Sequence, residues 1–507
     1  MMQSFRLRLL VTASGLALLG ALSAGCSVSP QEIGSAELGS IAGNSIAAVD
    51  AGQEPVHGAI DLYEAIARAV KYNLDHQVEM AEQAVRDREL HLSHYSMLPN
   101  IVANSGYAAR DKVNASSSKN ALTDQESLAT STSQDRKLRN ADIAFGWNVV
   151  DFGLSYVRAR QAADKVLIQQ ELRRKIRLRI TEEVRGAYWR ALSAQRLLGR
   201  LARVEAQARD VERSSRSISA QRETSPVTAL TYQREIVDVQ RVIGEVQREL
   251  ISAHAQLGAL MNLKPGTRFS VTDMNRRAPS PPGNSMAELA HVALMNRPEL
   301  REVEYRKRIN AQEAHAALLE LLPGLNLIAG SNMDSNSFLL NSHWMNWGAR
   351  ASWNLLKVFS YPARREIVEE QGRMLDTRTL AVSMAIMTQV YVSRIRYAHA
   401  LKEMETARRY RDVQVQLLVQ IRAEAAADRV ARQTLVREEL NAVVADAKLD
   451  IAFAAVQSAL ANLHTSLGND PYDGEVGTAA SIKEIAAAIR AHDSRVVKVA
   501  GNANGGH

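Results

Sequence analysis

Cysteine, aromatic residues and long apolar runs are all scarce in this chain. Its 507 residues include one cysteine, Cys26, which excludes an intrachain disulfide. Aromatic residues make up only 5% and there are 12 prolines, a composition typical of long helices rather than of a β-sandwich or an enzyme barrel. After the first 25 residues, no stretch approaches the roughly 20 apolar residues that a membrane-spanning helix needs. We therefore expect a helix-rich protein.

The common motifs of catalysis and cofactor binding are also missing. The sequence has no HExxH, GxSxG, GxxxxGK[ST], GxGxxG or paired CxxC, which are the patterns of metalloproteases, hydrolases, nucleotide sites and zinc sites. His91 and His94 could reach one metal ion, but no third ligand is evident. Acidic and basic residues are mixed, so the net charge of +7 indicates a solvated surface rather than a nucleic-acid site. We predict no enzyme, no cofactor and no metal.

The first residues follow the plan of a secretory signal. Arg6 and Arg8 precede an apolar run over 9–22, and small residues follow it. Cys26 comes next and resembles the lipobox cysteine of bacterial lipoproteins, although Ser23 stands where an aliphatic residue is usual. The resemblance implies a lipid (palmitate) on Cys26, and Ser27 implies sorting to the outer membrane. The alternative is an ordinary signal whose cleavage site abuts a cysteine.

The rest of the chain contains two copies of one sequence pattern. Leu98-Pro99 recurs 224 residues later as Leu322-Pro323, and Trp147-Asn148 recurs 206 residues later as Trp353-Asn354. The second offset holds without gaps for more than a hundred residues, which helical periodicity alone would not maintain. The 18 extra residues of the first copy fall in a Ser/Thr-rich stretch, 114–140, which predicts a surface loop.

These observations divide the chain into five segments. We predict a signal peptide over 1–25, a lipid-anchored flexible linker over 26–58, repeat 1 over 59–284, repeat 2 over 285–474, and a C-terminal helix with a disordered tail over 475–507.

Within each repeat the apolar spacing changes from helical to extended. Residues 61–96 have the three-to-four spacing of an amphipathic helix, which the Leu-Pro pair ends. In the second predicted strand, Ile143, Phe145 and Trp147 alternate with small or polar residues, and the duplicate keeps this parity up to Trp353. Such alternation is typical of a transmembrane barrel strand, apolar toward lipid and polar toward a lumen. A hairpin on a soluble core is the alternative.

Each second strand leads into a very long helix. The predicted helices, roughly 154–221 and 361–427, would be about 100 Å long and must pack along their length as in a coiled coil. Helices over 228–261 and 434–467 return, which makes two antiparallel hairpins. A sheet in hydrocarbon must close on itself, and four strands are too few, because about eight form the smallest usual barrel. Several chains must therefore share one barrel.

The order of these duplicated elements resembles the TolC-like outer membrane efflux proteins over about 59–470. The resemblance implies a mainly α fold with a membrane β portion: tandem-duplicated long helical hairpins in an α-barrel, and four strands per chain completing a 12-stranded trimeric β-barrel. It also implies a homotrimer that docks on a periplasmic adaptor (membrane fusion protein) and an inner-membrane pump, as a passive exit duct of an efflux or secretion system. Two alternatives remain: a duct dedicated to type I protein or polysaccharide secretion, and a lipid-anchored periplasmic coiled coil without a pore.

The hairpin turns depart from the family pattern. Where relatives often have glycine, this sequence has Arg222 and Asp428. The candidate tunnel-entrance or partner-docking residues are Arg222, Asp428, Arg429, Arg432 and Arg437, and the candidate membrane-facing strand residues are Phe145, Trp147 and Trp353. We hypothesise that some of these arginines ring the entrance and favour anionic cargo. The alternative is a solvated face, or arginines paired with Glu438 and Glu439.

Overall fold

The structure is a computed structural model that describes residues 30–49, 51–127, 129–220, 226–274, 285–430, 432–470, 472 and 480–502. The signal segment, Cys26, Arg222 and the tail beyond 502 lie outside the described residues. The chain divides into two compact units, Met1–Gln53 and Glu54–His507. The described part of the first contains one helix, α1, Ser35–Ala48, with no buried residue. The segment predicted to be a flexible linker therefore contains a helix of 14 residues.

The second unit is mainly helical. Its helices are α2 Leu62–Tyr72, α3 Leu74–Tyr95, α4 Val149–Ala220, α5 Pro226–Leu260, α6 Met286–Asn296, α7 Pro298–Leu319, α8 Lys357–Ala426, α9 Arg432–Ser466 and α10 Ile482–Asn502. Its strands are β1 Ala59–Ile60, β2 Asn100–Ala109, β3 Ala115–Ser116, β4 Ser131–Thr132, β5 Lys137–Asn148, β6 Ser270–Val271, β7 Gly324–Asp334 and β8 His343–Ser352.

The element bounds repeat at the two offsets found in the sequence. Helix α9 begins and ends 206 residues after α5, while α6 and α7 begin and end 224 residues after α2 and α3. The predicted first helix is two helices, because the chain turns at Asn73, which has an extended ψ of 126°. The Asn73 side chain accepts hydrogen bonds from the first backbone N–H groups of α3 and so caps it. In the second copy Pro298 begins α7, where its missing N–H costs nothing.

Two long hairpins form the body of the unit. Helix α4 has 72 residues and α8 has 70. Helix α5 packs on α4, α9 packs on both α8 and α4, and α3 and α7 also lie along α4. The turn between α4 and α5 lies outside the described residues. Pro362 lies within the second turn of α8, inside the long helix predicted over 361–427.

The main core lies where α2 and α10 pack on the long helices. It buries Ile66, Tyr188 and Leu257, each 0% exposed. The Tyr188 hydroxyl donates to the Thr272 carbonyl at 2.7 Å, beside the parallel pair β1 and β6. Burying a large apolar side chain contributes about 1.5–3 kcal/mol, so this core holds the hairpins in a fixed position relative to the short helices.

The remaining strands build a four-stranded antiparallel sheet in the order β2-β5-β7-β8. Within the described chain, each of the outer strands, β2 and β8, has a strand neighbour on one side only. Small strands β3 and β4 lie in the 18-residue insertion of the first copy. Among the described residues, no helix is apolar enough over 18 residues to cross a membrane.

Candidate functional site

The strand register separates the sheet into two faces of different chemistry. Directly paired residues lie on the same face. One face is largely apolar and contains Ile101, Ala103, Ser105, Tyr107, Ala109, Ala141, Ile143, Phe145, Trp147, Leu325, Leu327, Ala329, Ser331, Met333, Met345, Trp347, Ala349 and Ala351, with Lys137, Arg139 and His343 on the same face at its loop end. The other is rich in amides and glycine and contains Asn100, Asn104, Gly106, Asn140, Asp142, Gly146, Asn148, Gly324, Asn326, Gly330, Asn332, Asp334, Asn346, Gly348, Arg350 and Ser352, together with the apolar residues Val102, Ala108, Leu138, Ala144, Ile328 and Trp344.

Side-chain hydrogen bonds connect neighbouring strands across the amide-rich face. Asn104 Nδ2 donates to Asp142 Oδ2 at 2.9 Å, and Asn332 Nδ2 donates to Asn346 Oδ1 at 2.6 Å. A Cβ at Gly106 would lie 2.4 Å from an oxygen of the Asn140 side chain, so a larger residue there would require that amide to move. This face can therefore line water while the other faces an apolar medium.

The predicted strand residues divide between the sheet and its end. Phe145 and Trp147 lie on the apolar face, and Trp147 packs edge-on against Phe152 with ring centroids 5.8 Å apart. Trp353 lies just beyond β8, and its Nε1 donates to the Leu321 carbonyl at 2.9 Å. Its placement in a strand was therefore wrong. Sequence reasoning also missed Trp347, which is 88% exposed on the apolar face, although extending the alternation back from Trp353 points to it.

At the loop end of the sheet, the two hairpin loops are joined by hydrogen bonds. The Asp135 carboxylate accepts from the Ser337 backbone N–H at 2.6 Å and from its hydroxyl at 3.1 Å. Asn336 Nδ2 donates to the Ser133 carbonyl at 3.0 Å. These contacts fix the longer loop of the first copy to the short loop of the second.

At the end of the hairpin far from the sheet, Asp428 occupies the turn between α8 and α9, where the family pattern often has glycine. Its φ is +56°. The Arg429 N–H bonds to the Glu424 carbonyl at 3.0 Å, and the Asp428 N–H bonds to the Ala425 carbonyl at 3.2 Å, which is the Schellman pattern that ends many helices. Asn262 and Gly468, which occupy equivalent positions in the two copies, also have positive φ, +56° and +71°.

The candidate entrance arginines do not form one group. Arg429 is exposed, whereas Arg437 donates to Glu235 Oε2 at 2.7 Å and to Glu438 Oε1 at 2.9 Å. Burial alone would lower the pKa of Arg437, but these two hydrogen bonds raise it above its ordinary value, so the side chain stays cationic. The Arg432 side chain and Arg222 lie outside the described residues.

Glu438 is the centre of this network. The residue is 6% exposed, and its carboxylate also accepts from Gln414 Nε2 at 2.7 Å and from Asn441 Nδ2 at 3.3 Å. Glu439, one residue on, pairs with the exposed Arg422 at 2.8 Å. Arg437 therefore joins α9 to α5, and its charge is balanced within the chain.

The two sides of the unit present apolar residues that no described element covers. On α3 the exposed Val78, Val85 and Leu92 recur every seven residues. On α8 the exposed apolar residues include Phe359, Ile367, Met374, Leu380, Met384, Tyr391 and Ile395. Strand β2 follows α3, and β8 precedes α8. Each side thus combines an open strand edge with an apolar helix stripe.

Among the residues that the structure describes, no group of three His, Cys, Asp or Glu side chains could hold a metal ion. His91 and His94 lie with ring centroids 6.1 Å apart, tilted by 58°.

Comparison with solved structures identifies the fold. No family model matches the sequence, and no curated protein matches it. The chain is similar to the CmeC outer membrane channel of Campylobacter jejuni, with a TM-score of 0.63. It is also similar to CusC and to the open state of the MtrE outer membrane channel of Neisseria gonorrhoeae, each with a TM-score of 0.62. For CmeC the identity is 11%, over 91% of this chain and 96% of that one. For CusC the identity is 17%, over 82% of this chain and 95% of that one. For MtrE the identity is 14%, over 80% of this chain and 88% of that one. The resemblance to TolC-like channels is thereby confirmed at the level of the fold.

Proposed function

We propose that this chain is one subunit of an outer-membrane channel, the passive exit duct of a tripartite efflux or secretion system. The observation that carries the proposal is the four-stranded sheet, which has one apolar face, one amide-rich face and two open edges. A strand edge in hydrocarbon leaves backbone groups without partners, and each costs several kcal/mol. Closure of the sheet by further copies removes this cost.

We infer a closed ring of three chains. Strand β8 of one copy would pair with β2 of the next, and the apolar stripe of α8 would cover that of α3. Such a head-to-tail contact uses two different surfaces and closes only as a ring. Three copies supply twelve strands, within the range of known membrane barrels, and this is the number that the resemblance to TolC-like channels implies.

We propose one partner for each end of the unit. The apolar face of the sheet would contact outer-membrane lipid, and the turn at Asp428 would face a periplasmic adaptor and, through it, an inner-membrane pump. A lipid on Cys26 would add a second attachment to the membrane. Metabolic labelling with a palmitate analogue tests this last point, since a Cys26→Ser variant should lose the label.

Channel function is tested by reconstituting the purified oligomer in planar bilayers. We expect discrete conductance steps from trimers, and a folded oligomer without conductance would support the poreless coiled coil. Contact between the sheet edges of neighbouring copies can be tested by crosslinking with a flexible bis-maleimide. The double variant Ala103→Cys/Ala349→Cys places thiols on β2 and β8 for this purpose. A ladder ending at trimer is expected there, whereas Ala103→Cys/Ala329→Cys, with the second thiol on the central strand β7, should give none.

A further inference from the structure

An arginine-lined cavity lies on the helical part of the unit, away from both the sheet and the hairpin turn. Its volume is about 400 Å³, and α4, α8 and α9 form its walls. Helix α4 contributes Arg196 and Arg200, and α8 contributes Arg408 and Arg411. One water occupies about 30 Å³ of liquid, so the cavity has room for a polyatomic solute.

The carboxylates at the cavity balance only part of this charge. Asp446 and Asp450 are the two acidic residues in the lining. Asp446 lies 2.9 Å from Arg200 Nη2 and 3.8 Å from Arg411 Nε, so two guanidinium groups share one carboxylate. Arg411 also approaches Asp412, outside the lining, at 3.2 Å.

Three donor groups remain available. Within the described chain, neither Arg196 nor Arg408 has a carboxylate within 4.0 Å or a side-chain hydrogen bond. Arg411 Nε is buried and has no hydrogen-bond acceptor among the described residues, because Asp446 is too distant for one. A buried donor without an acceptor is costly, and a ligand oxygen at this place would satisfy it.

The floor of the cavity is apolar. Leu197, Met404 and Phe453 line it and are 1%, 5% and 5% exposed. An apolar surface lowers the local dielectric response, which strengthens the attraction between a guanidinium and an anion. Guanidinium also presents paired N–H groups that match the two oxygens of a phosphate or carboxylate.

We propose that this cavity is a binding site for multivalent oxyanions, solutes that carry phosphate or carboxylate groups. Arg196 and Arg408 bind the anion directly, and Arg411 Nε donates to one of its oxygens. Arg200 remains with Asp446. The site lies far from the hairpin turn, because Arg408 precedes Asp428 by 20 residues, which is about 30 Å along helix α8. The inference that the channel prefers oxyanions among exported solutes rests on the proposed channel function. The inference that the cavity binds oxyanions does not depend on it.

Titration calorimetry of the detergent-solubilised oligomer with inorganic pyrophosphate tests the site at fixed ionic strength. We expect saturable binding that weakens at least tenfold in Arg196→Gln/Arg408→Gln. The matched control is Arg203→Gln/Arg409→Gln, which removes the same charge from exposed positions of the same two helices outside the cavity, and it should change the affinity less than twofold. All of these arginines are exposed, so the variants keep the core intact.

Absence of saturable binding by the folded oligomer overturns the proposal. Equal weakening in both double variants also overturns it, because it would mean that only the overall charge attracts pyrophosphate. Conductance in planar bilayers is measured on the same samples. Conductance without pyrophosphate binding refutes the site and leaves the channel function, whereas binding without conductance refutes the channel function and leaves the site.

Discussion

The adjacent glutamates of α9 provide a matched test of how the hairpin end is held together. Glu438 is buried and accepts hydrogen bonds from Gln414, Arg437 and Asn441 at 2.7, 2.9 and 3.3 Å. Glu439 has one ionic partner, the exposed Arg422. We predict that Glu438→Gln destabilises the hairpin end strongly and that Glu439→Gln barely affects it.

The magnitude follows from the contacts. In Glu438→Gln the new side-chain amide would turn its N–H₂ group toward one of the donors, so a charge-assisted bond worth about 1.5–3 kcal/mol is lost and a buried donor is left unsatisfied at a cost of about 1–3 kcal/mol. Arg437 retains Glu235, which limits the total to about 3 kcal/mol. An exposed pair such as Glu439–Arg422 contributes about 0.5 kcal/mol.

Hydrogen exchange of the detergent-solubilised oligomer measures both effects. Amides of α9 over 434–444 should exchange about 100-fold faster in Glu438→Gln and about twofold faster in Glu439→Gln, because each 1.4 kcal/mol changes an opening constant tenfold. Amides of α7 serve as an internal reference. Similar rates in the two variants would refute the assigned network, since the substitutions differ only in burial and partners.

Three further predictions concern the turns, the acid response and the sheet. Gly468→Ala should lower the free energy of unfolding by more than about 2 kcal/mol, since a non-glycine residue at positive φ costs about 1–2 kcal/mol and the new Cβ would lie 2.8 Å from a backbone carbon. Asp428→Gly, at a φ of +56° with an exposed side chain, should instead be neutral or stabilising, and denaturant titration of both variants checks the contrast. Burial lowers the pKa of His76 to about 4. The unfolded chain therefore binds the proton more readily between pH 6.5 and 4, and stability should fall by about 3 kcal/mol as the pH drops through that range. His76→Gln, which keeps a donor but does not titrate there, should remove the His76 part of this pH dependence in acid denaturation followed by circular dichroism, and the part from His464, whose pKa burial also lowers to about 4, should remain. Ala349→Arg on the apolar face should reduce the membrane-inserted oligomer sharply, as a charge facing lipid costs about 2–4 kcal/mol at mid-depth. Its neighbour on the amide-rich face, Gly348→Arg, should insert normally, and equal loss in both variants would contradict the assignment of the faces.

Local patterns in the sequence were sufficient to predict the duplication, the long helices and the main strands, but not the helix Ser35–Ala48 or the short strands. The three-to-four spacing of apolar residues recurs in every turn of a helix, and the proline of a Leu-Pro pair ends a helix because it lacks a backbone N–H. Neither signal depends on residues far away in the sequence. The left-handed position of Asp428 was indicated only by the family pattern, in which glycine is frequent at this turn, because aspartate itself is compatible with many backbone conformations. The break at Asn73 was less evident, since apolar spacing continues across it while the asparagine cap ends one helix and begins the next.

Long-range pairing could not be read from the sequence alone. Whether Arg437 is free or bound depends on Glu235, 202 residues earlier on α5, and only the packing of the two hairpins brings them together. The same is true of the cavity, whose arginines are separated by some 200 residues and come together because α9 packs between α4 and α8. Periodicity determines which residues share a face of one helix or strand, whereas the packing of separate elements decides which charges are neutralised and which remain available to a ligand.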